Sequence, residues 1–358
     1  MIYSFANYTY YTIALIGAFV ISLYCVRKTL FLTRKMQIFD VPDDIRKIHG
    51  AVIPSLGGIG VFIGYTLISV LFSPWEMWKY VILSSLLLFF GGIYDDLMNM
   101  RPSKKLLLQL IASAITIYAV NIRVTSFCGI FGIWELPYWY SVGFTILCCT
   151  FFINVFNFVD GIDGLACSFG ILYSVVLGLL FAINGDIWLA CISLSLTGAC
   201  IGLLYYNIAP AKIYMGDTGS MFVGFIIFVL SVLFINAYDK HGAIVRIIHS
   251  NKAALLITLS VIFLPVFDAI RVFIARGIKG ISPLKADRNH LHYYLLDAGS
   301  THSGALLILL CANIVVMIVA FLMQNMNSYL VITCMVLLMS VISGGIYSLR
   351  KKTKNTSV

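Results

Sequence analysis

Long apolar runs alternate with short polar interruptions over the whole chain. A helix needs roughly 20 apolar residues to cross a hydrocarbon layer about 30 Å thick. Runs of that kind lie near 9–26, 56–73, 79–97, 105–121, 139–158, 164–184, 187–206, 220–238, 253–275, 303–323 and 328–349. The pattern predicts an all-α, polytopic integral membrane protein with about eleven transmembrane helices. The absence of internal repeats, low-complexity tracts and linkers predicts one integral domain over 1–358. The first run is expected to stay as an anchor, because no Lys or Arg precedes it and Arg27 and Lys28 follow it. Between the fourth and fifth runs, RVTSFCGIFGIWELPYWY (123–140) alternates and carries Gly and Pro, which predicts a short external hairpin.

Composition excludes a soluble protein. The chain is 61% hydrophobic and only 11% charged, with a mean hydropathy of +0.97, too few charges to cover the surface of a water-soluble fold. Basic residues then orient the spans. Nineteen of the 24 Lys and Arg follow odd-numbered runs or lie in the C-terminal tail, which puts the N-terminus outside and the C-terminus in the cytoplasm. The net charge of +9 is thus largely cytoplasmic, where membrane lipids with anionic headgroups account for it without a nucleic acid partner. The nine Cys show neither a CxxC pair nor metal-ligand spacing and read as small core residues.

Polar clusters remain, and all five fall on the cytoplasmic side of this map, in loops at 27–55, 95–105, 154–166, 207–220 and 276–300. They contain DDIRKIHGAVIPSLGGIG (43–60), GGIYDDLMNMRPSKKL (91–106), NVFNFVDGIDGLA (154–166), KIYMGDTGSMFVG (212–224) and ADRNHLHYYLLDAG (286–299). Asp95 and Asp96 are adjacent, so on a helix they diverge by about 100° and only one faces a given ligand. Asp160 and Asp163 are three apart, which on a helical turn places both on one face. Thr218 or Ser220 is expected to cap the helix that follows Asp217. Carboxylate and carboxamide oxygens are hard ligands suited to Mg²⁺ shared with substrate phosphates, and Lys104, Lys105, Arg288, His290 and His292 suit phosphate oxygens. Each motif also has a plain reading: Asp-Gly as a turn, RPSKK as a headgroup contact, paired glycines as helix packing. Their convergence on one face is what points to a site for a pyrophosphate with its metal.

The order DD, NxxNFxDGxDGLA, GDTGS, DRxHLH resembles the polyprenyl-phosphate N-acetylhexosamine-1-phosphate transferase family, over about Asp40 to Gly299, and within it the bacterial undecaprenyl-phosphate N-acetylglucosamine-1-phosphate branch. The resemblance implies transfer of a sugar 1-phosphate, N-acetylglucosamine foremost, from a UDP-N-acetylhexosamine to undecaprenyl phosphate. UMP is released and a cell-envelope polysaccharide such as O-antigen begins, in the bacterial inner membrane with the active site on its cytoplasmic face. It implies Asp217 and Asn157 as ligands of Mg²⁺, with Mn²⁺ as a substitute. Asp95, Asp96, Asp160 and Asp163 become the catalytic acids, and Lys105, Asn154, His49, Arg288, His290 and His292 the substrate-binding groups. Asp95 or Asp96 would position the lipid phosphate, and a single displacement and a covalent intermediate both stay open, as does a homodimer. Tyr293 stands where the family motif has a further histidine, which leaves another amino sugar, or phospho-N-acetylmuramoyl-pentapeptide, open as the donated group. An ion-coupled transporter is the rival from another class; it requires acids near span centres at broken helices.

Overall fold

The computed structural model describes residues 2–37, 53–238, 242–280 and 288–356. Among these the protein is all-α: α1 (Ile2–Lys35), α2 (Gly58–Phe72), α3 (Trp75–Met98), α4 (Pro102–Val120), α5 (Tyr138–Val159), α6 (Leu165–Asn184), α7 (Ile187–Asn207), α8 (Gly216–Ala237), α9 (Asn251–Val261), α10 (Phe263–Ile278), α11 (Leu291–Asp297), α12 (His302–Leu322) and α13 (Ser328–Thr356). Nine of these helices are long and apolar enough to span a membrane, or ten if α9 and α10 form one broken span. The protein is therefore an integral membrane protein. The second predicted run forms only the 15-residue α2, about 22 Å at 1.5 Å per residue, shorter than the hydrocarbon layer. The segment 123–140 is less regular than a hairpin. It holds a single bridge between Ser126 and Glu135 and a 3₁₀ turn at Ile130–Gly132.

Helix α8 is the axis of the molecule. It is buried along most of its length and touches α2, α3, α5, α6 and α9. Helix α3 reaches it closely because position 92 has no side chain. A Cβ on Gly92 would lie 2.5 Å from Thr218 Cα and 2.7 Å from the Asp217 carbonyl oxygen. This contact sets the last turn of α3 against the first turn of α8, and so brings two acidic motifs together.

The ninth predicted run is broken. α9 and α10 meet at 67°, and Pro265 in the first turn of α10 explains it, since proline has no N–H for the carbonyl four residues back. That carbonyl belongs to Val261. Asn313 of α12 takes the missing donor's place, with Nδ2 donating to Val261 O at 3.0 Å and Oδ1 accepting from Leu264 N at 3.0 Å. A buried backbone group left without a partner costs about 1–3 kcal/mol. Asn313→Leu strips two such groups and is expected to destabilise the fold by about 2–5 kcal/mol. Thermal unfolding of the purified protein in detergent measures it, and an unchanged midpoint would contradict this account of the break.

Candidate active site

Four helix ends converge. Asp95 lies in the last turn of α3, Lys105 in the first turn of α4, Asn157 in the last turn of α5 and Asp217 in the first turn of α8. The Lys105 ammonium sits between two carboxylates, 2.9 Å from Asp95 Oδ2 and 2.7 Å from Asp217 Oδ2. Asn157 Nδ2 donates to Asp217 Oδ1 and, at 2.9 Å, to Ser220 Oγ. The other Asp95 oxygen accepts from Met100 N at 2.6 Å, which ties the carboxylate to the turn leaving α3.

Asp96 does different work. Its Oδ1 accepts from Asp217 N at 2.8 Å, and its Oδ2 from Thr218 N at 2.9 Å and Thr218 Oγ1 at 2.6 Å. It is the N-terminal cap of α8, delivered by another helix. This corrects the expectation that Thr218 or Ser220 would cap the helix: Thr218 donates its hydroxyl and Ser220 accepts from Asn157. A carboxylate at a helix N-terminus also satisfies free N–H groups and the positive end of the dipole. As neighbours diverging around α3, Asp95 and Asp96 face different partners, Lys105 and the α8 terminus.

Residues 160–164 form a turn between α5 and α6, so Asp160 and Asp163 do not share a helical face as their spacing suggested. Gly164, at φ +75°, adopts the left-handed conformation that a helix lacks. Asp160 Oδ2 accepts from Gly216 N at 2.9 Å, just ahead of Asp217. Burial pushes the Asp160 carboxyl up to about 7; the Gly216 N–H opposes the rise and the Asp217 and Asp163 charges add to it. Asp163 points elsewhere, accepting from Ala211 N at 3.0 Å and lying 3.2 Å from His302 Nδ1. Asn154, one turn before Asn157, faces Gln109 of α4, to which Nδ2 donates at 2.6 Å.

The late loop packs against the same turn. His290 lies tilted against Phe158 with ring centroids 5.4 Å apart, and a Cβ on Gly161 would lie 2.2 Å from His292 Nε2, so only glycine lets the turn lie on that imidazole. The two imidazoles are parallel at 5.7 Å. Burial, helped by His290 and Arg288, pushes His292 down to about 3, so it is a neutral ring at physiological pH. His290 is held by Asp268 of α10, whose Oδ2 lies 2.9 Å from Nδ1, while Arg271 grips the other Asp268 oxygen at 2.7 and 3.1 Å. Arg288 lies 3.5 Å from Asp297 and 5.1 Å above the ring of Tyr293, which is itself buried beside His292. His49 lies outside the described residues.

The geometry thus brings together Asp95, Lys105, Asn157 and Asp217, seats Asp96 and Asp160 on the backbone of the α8 start, and adjoins His290 and His292 through Phe158 and Gly161. Asp268, Arg271, His302 and Gln109 are partners that motif reasoning did not single out. For two of them a signal existed: Asp268 and Arg271 are a charged pair three apart inside an otherwise apolar run.

The family model described as Glycosyl transferase family 4 matches residues 78–235, which include Asp95, Lys105, Asn157 and Asp217. The chain is 27% identical, over 92% of its length and 92% of the relative's, to a probable undecaprenyl-phosphate N-acetylglucosaminyl 1-phosphate transferase of Bacillus subtilis. It is 29% identical, over 74% of its length and 70% of the relative's, to the decaprenyl-phosphate N-acetylglucosaminephosphotransferase of Mycolicibacterium smegmatis. Against the undecaprenyl-phosphate alpha-N-acetylglucosaminyl 1-phosphate transferase of Salmonella typhi it is 28% identical over 79% of its length and 77% of the relative's. With its acidic motifs in order and their helix ends gathered at one place, the chain is similar to glycosyl transferase family 4 over residues 78–235 and, along most of its length, to polyprenyl-phosphate N-acetylglucosamine-1-phosphate transferases.

Proposed function

We propose that this protein transfers N-acetylglucosamine 1-phosphate from UDP-N-acetylglucosamine to undecaprenyl phosphate, releasing UMP, at the cytoplasmic face of the bacterial inner membrane. One observation carries the reading: two carboxylates, Asp95 and Asp217, close around a single cation, the Lys105 ammonium, at 2.9 and 2.7 Å. Such a place favours positive charge and suits Mg²⁺, which is commonly held by one or two carboxylates together with substrate phosphates. Asp217, Asp95 and Asn157 would hold it; turned over, the Asn157 carboxamide presents its oxygen beside Asp217. When bound, Mg²⁺ supplies charge stabilisation for the sugar-side phosphate and for departing UMP. Mn²⁺, with similar preferences, is expected to substitute.

In this reaction an oxygen of the lipid phosphate forms a bond to the sugar-side phosphorus, and the bond from that phosphorus to the bridging oxygen breaks, leaving a lipid diphosphosugar and UMP. Lys105 moves from the carboxylates toward phosphate oxygens as they arrive. Arg288 faces the diphosphate, with His290 held by Asp268 and His292 neutral beneath the turn. Asp95, not committed to capping α8, is the acid available to orient the lipid phosphate. The concentration of Lys and Arg after odd-numbered apolar runs supports eleven spans with the N-terminus outside.

A transporter reading has one observation in its favour, the broken pair α9–α10. The break itself carries no acid, however, and Asp268 beyond it is paired with Arg271 and His290. The test is incubation of purified protein, undecaprenyl phosphate and Mg²⁺ with labelled UDP-N-acetylglucosamine, UDP-N-acetylgalactosamine and UDP-N-acetylmuramoyl-pentapeptide. We expect label in lipid and equimolar UMP from the first donor, abolished by EDTA. Absence of UMP with every donor, or full turnover in EDTA, would overturn the reaction or its metal respectively.

A further inference from the structure

The C-terminal helix reaches back to the loop that carries Arg288. Arg350, near the end of α13, donates to Asp297 Oδ2 from Nε at 2.9 Å and lies 2.8 Å from the same oxygen through a terminal guanidinium nitrogen. Its guanidinium also sits 4.2 Å over the ring of Tyr294, whose centroid is 5.1 Å from Arg271 on α10. Tyr347, one turn before Arg350, adds a ring contact to Tyr294 at 6.0 Å. Helix α11 is therefore pinned to α13 by a charge pair and an aromatic ring held between two guanidinium groups.

Asp297 is shared unequally. Arg350 takes one oxygen with two short contacts, whereas Arg288 reaches the other at 3.5 Å, beyond an ordinary charge-assisted hydrogen bond. The Arg288 side chain keeps 29% of its surface exposed, against 19% for Arg350 and Asp297. A partly buried carboxylate needs a cation, and removing its main partner raises its hold on any other within reach. With Arg350 present, Asp297 stays compensated when Arg288 departs. Without it, Arg288 becomes the nearby counter-ion.

We propose that Arg350 is a positioning residue that neutralises Asp297 and so leaves Arg288 free to bind the diphosphate of the UDP-sugar. This rests on the assignment of Arg288 to the donor diphosphate made above. A residue that merely docked α13 onto α11 would act through stability, and losing Asp297 as well would only worsen it. The proposed role predicts the reverse, because Asp297→Asn removes the charge that would capture Arg288.

The experiment compares wild type, Arg350→Ala, Arg350→Lys, Asp297→Asn and the Asp297→Asn/Arg350→Ala double variant in the transfer assay with UDP-N-acetylglucosamine, with thermal unfolding recorded for each. Arg350→Ala should raise KM for the UDP-sugar about tenfold, the size of one lost hydrogen bond to a charged group, with kcat within about twofold. Lys at 350 should recover part of this, and the double variant should return KM to near the wild-type value. An unchanged KM in Arg350→Ala, or a double variant no better than Arg350→Ala, would overturn the proposal while wild-type turnover leaves the transferase reading intact. A wild type inactive with every UDP-sugar would overturn that reading and this inference with it.

Discussion

Asp217→Asn should lower the transfer rate by about 10²- to 10³-fold, the loss typical of removing one preorganised charge from a reacting centre, while leaving the protein folded. The side chain keeps its shape and can still meet Asn157, but it no longer bears the charge that closes the cation position with Asp95. Folding is spared because the start of α8 is secured through the backbone N–H groups of residues 217 and 218, and these are held by Asp96. The variant should therefore elute and melt like wild type while Lys105 keeps only the Asp95 partner. Rates measured at several Mg²⁺ concentrations give the check. A variant within a few-fold of wild type at low Mg²⁺ would remove Asp217 from the metal and reaction scheme.

Asp96→Ala should fail in the opposite way. Three hydrogen bonds to one partly buried carboxylate disappear, two of them from helix N-terminal N–H groups that have no intrahelical acceptor. Losing a cap of this kind costs about 0.5–2 kcal/mol, and stranding buried donors raises the total to about 2–5 kcal/mol. The expected result is a protein that unfolds earlier in a denaturant or thermal series and loses activity because Asp217 is no longer held in register. Asp96→Asn, which keeps one acceptor oxygen, should fall between. If Asp96→Ala melts like wild type and is still inactive, Asp96 acts on substrate or metal directly.

Parts of this arrangement were legible in the chain and parts were not, for physical reasons. The divergence of Asp95 and Asp96 follows from adjacency on a helix, and the apolar runs map onto helices because lipid tolerates little else. The partner of Asp96 was hidden, because 121 residues separate it from the α8 terminus it caps and local rules look for a cap within a few positions. Asp160 and Asp163 were placed on one helical face by spacing alone, yet the glycines between and after them turn the chain. Pro265 was in plain view, but the 67° bend also required Asn313 from another helix to make the exposed backbone groups bearable. Asp268 and Arg271 were lost in the length of an apolar run, though two charges in such a run are themselves a signal.

The seating of Asp96 on α8 also bears on what can move during a turnover cycle. A slide or twist of α3 against α8 would break the cap and separate Asp95 from Asp217 together, so the two carboxylates behave as a fixed jaw with no soft direction of their own. Opening and closing around a substrate must then fall to the pieces that approach from the side. On the function proposed above, those are the Lys105 side chain, with four rotatable bonds, and the Arg288 guanidinium. On that reading cations travel and anions stay: the donor would enter a place whose negative charges are already set and whose positive charges reach out to meet it.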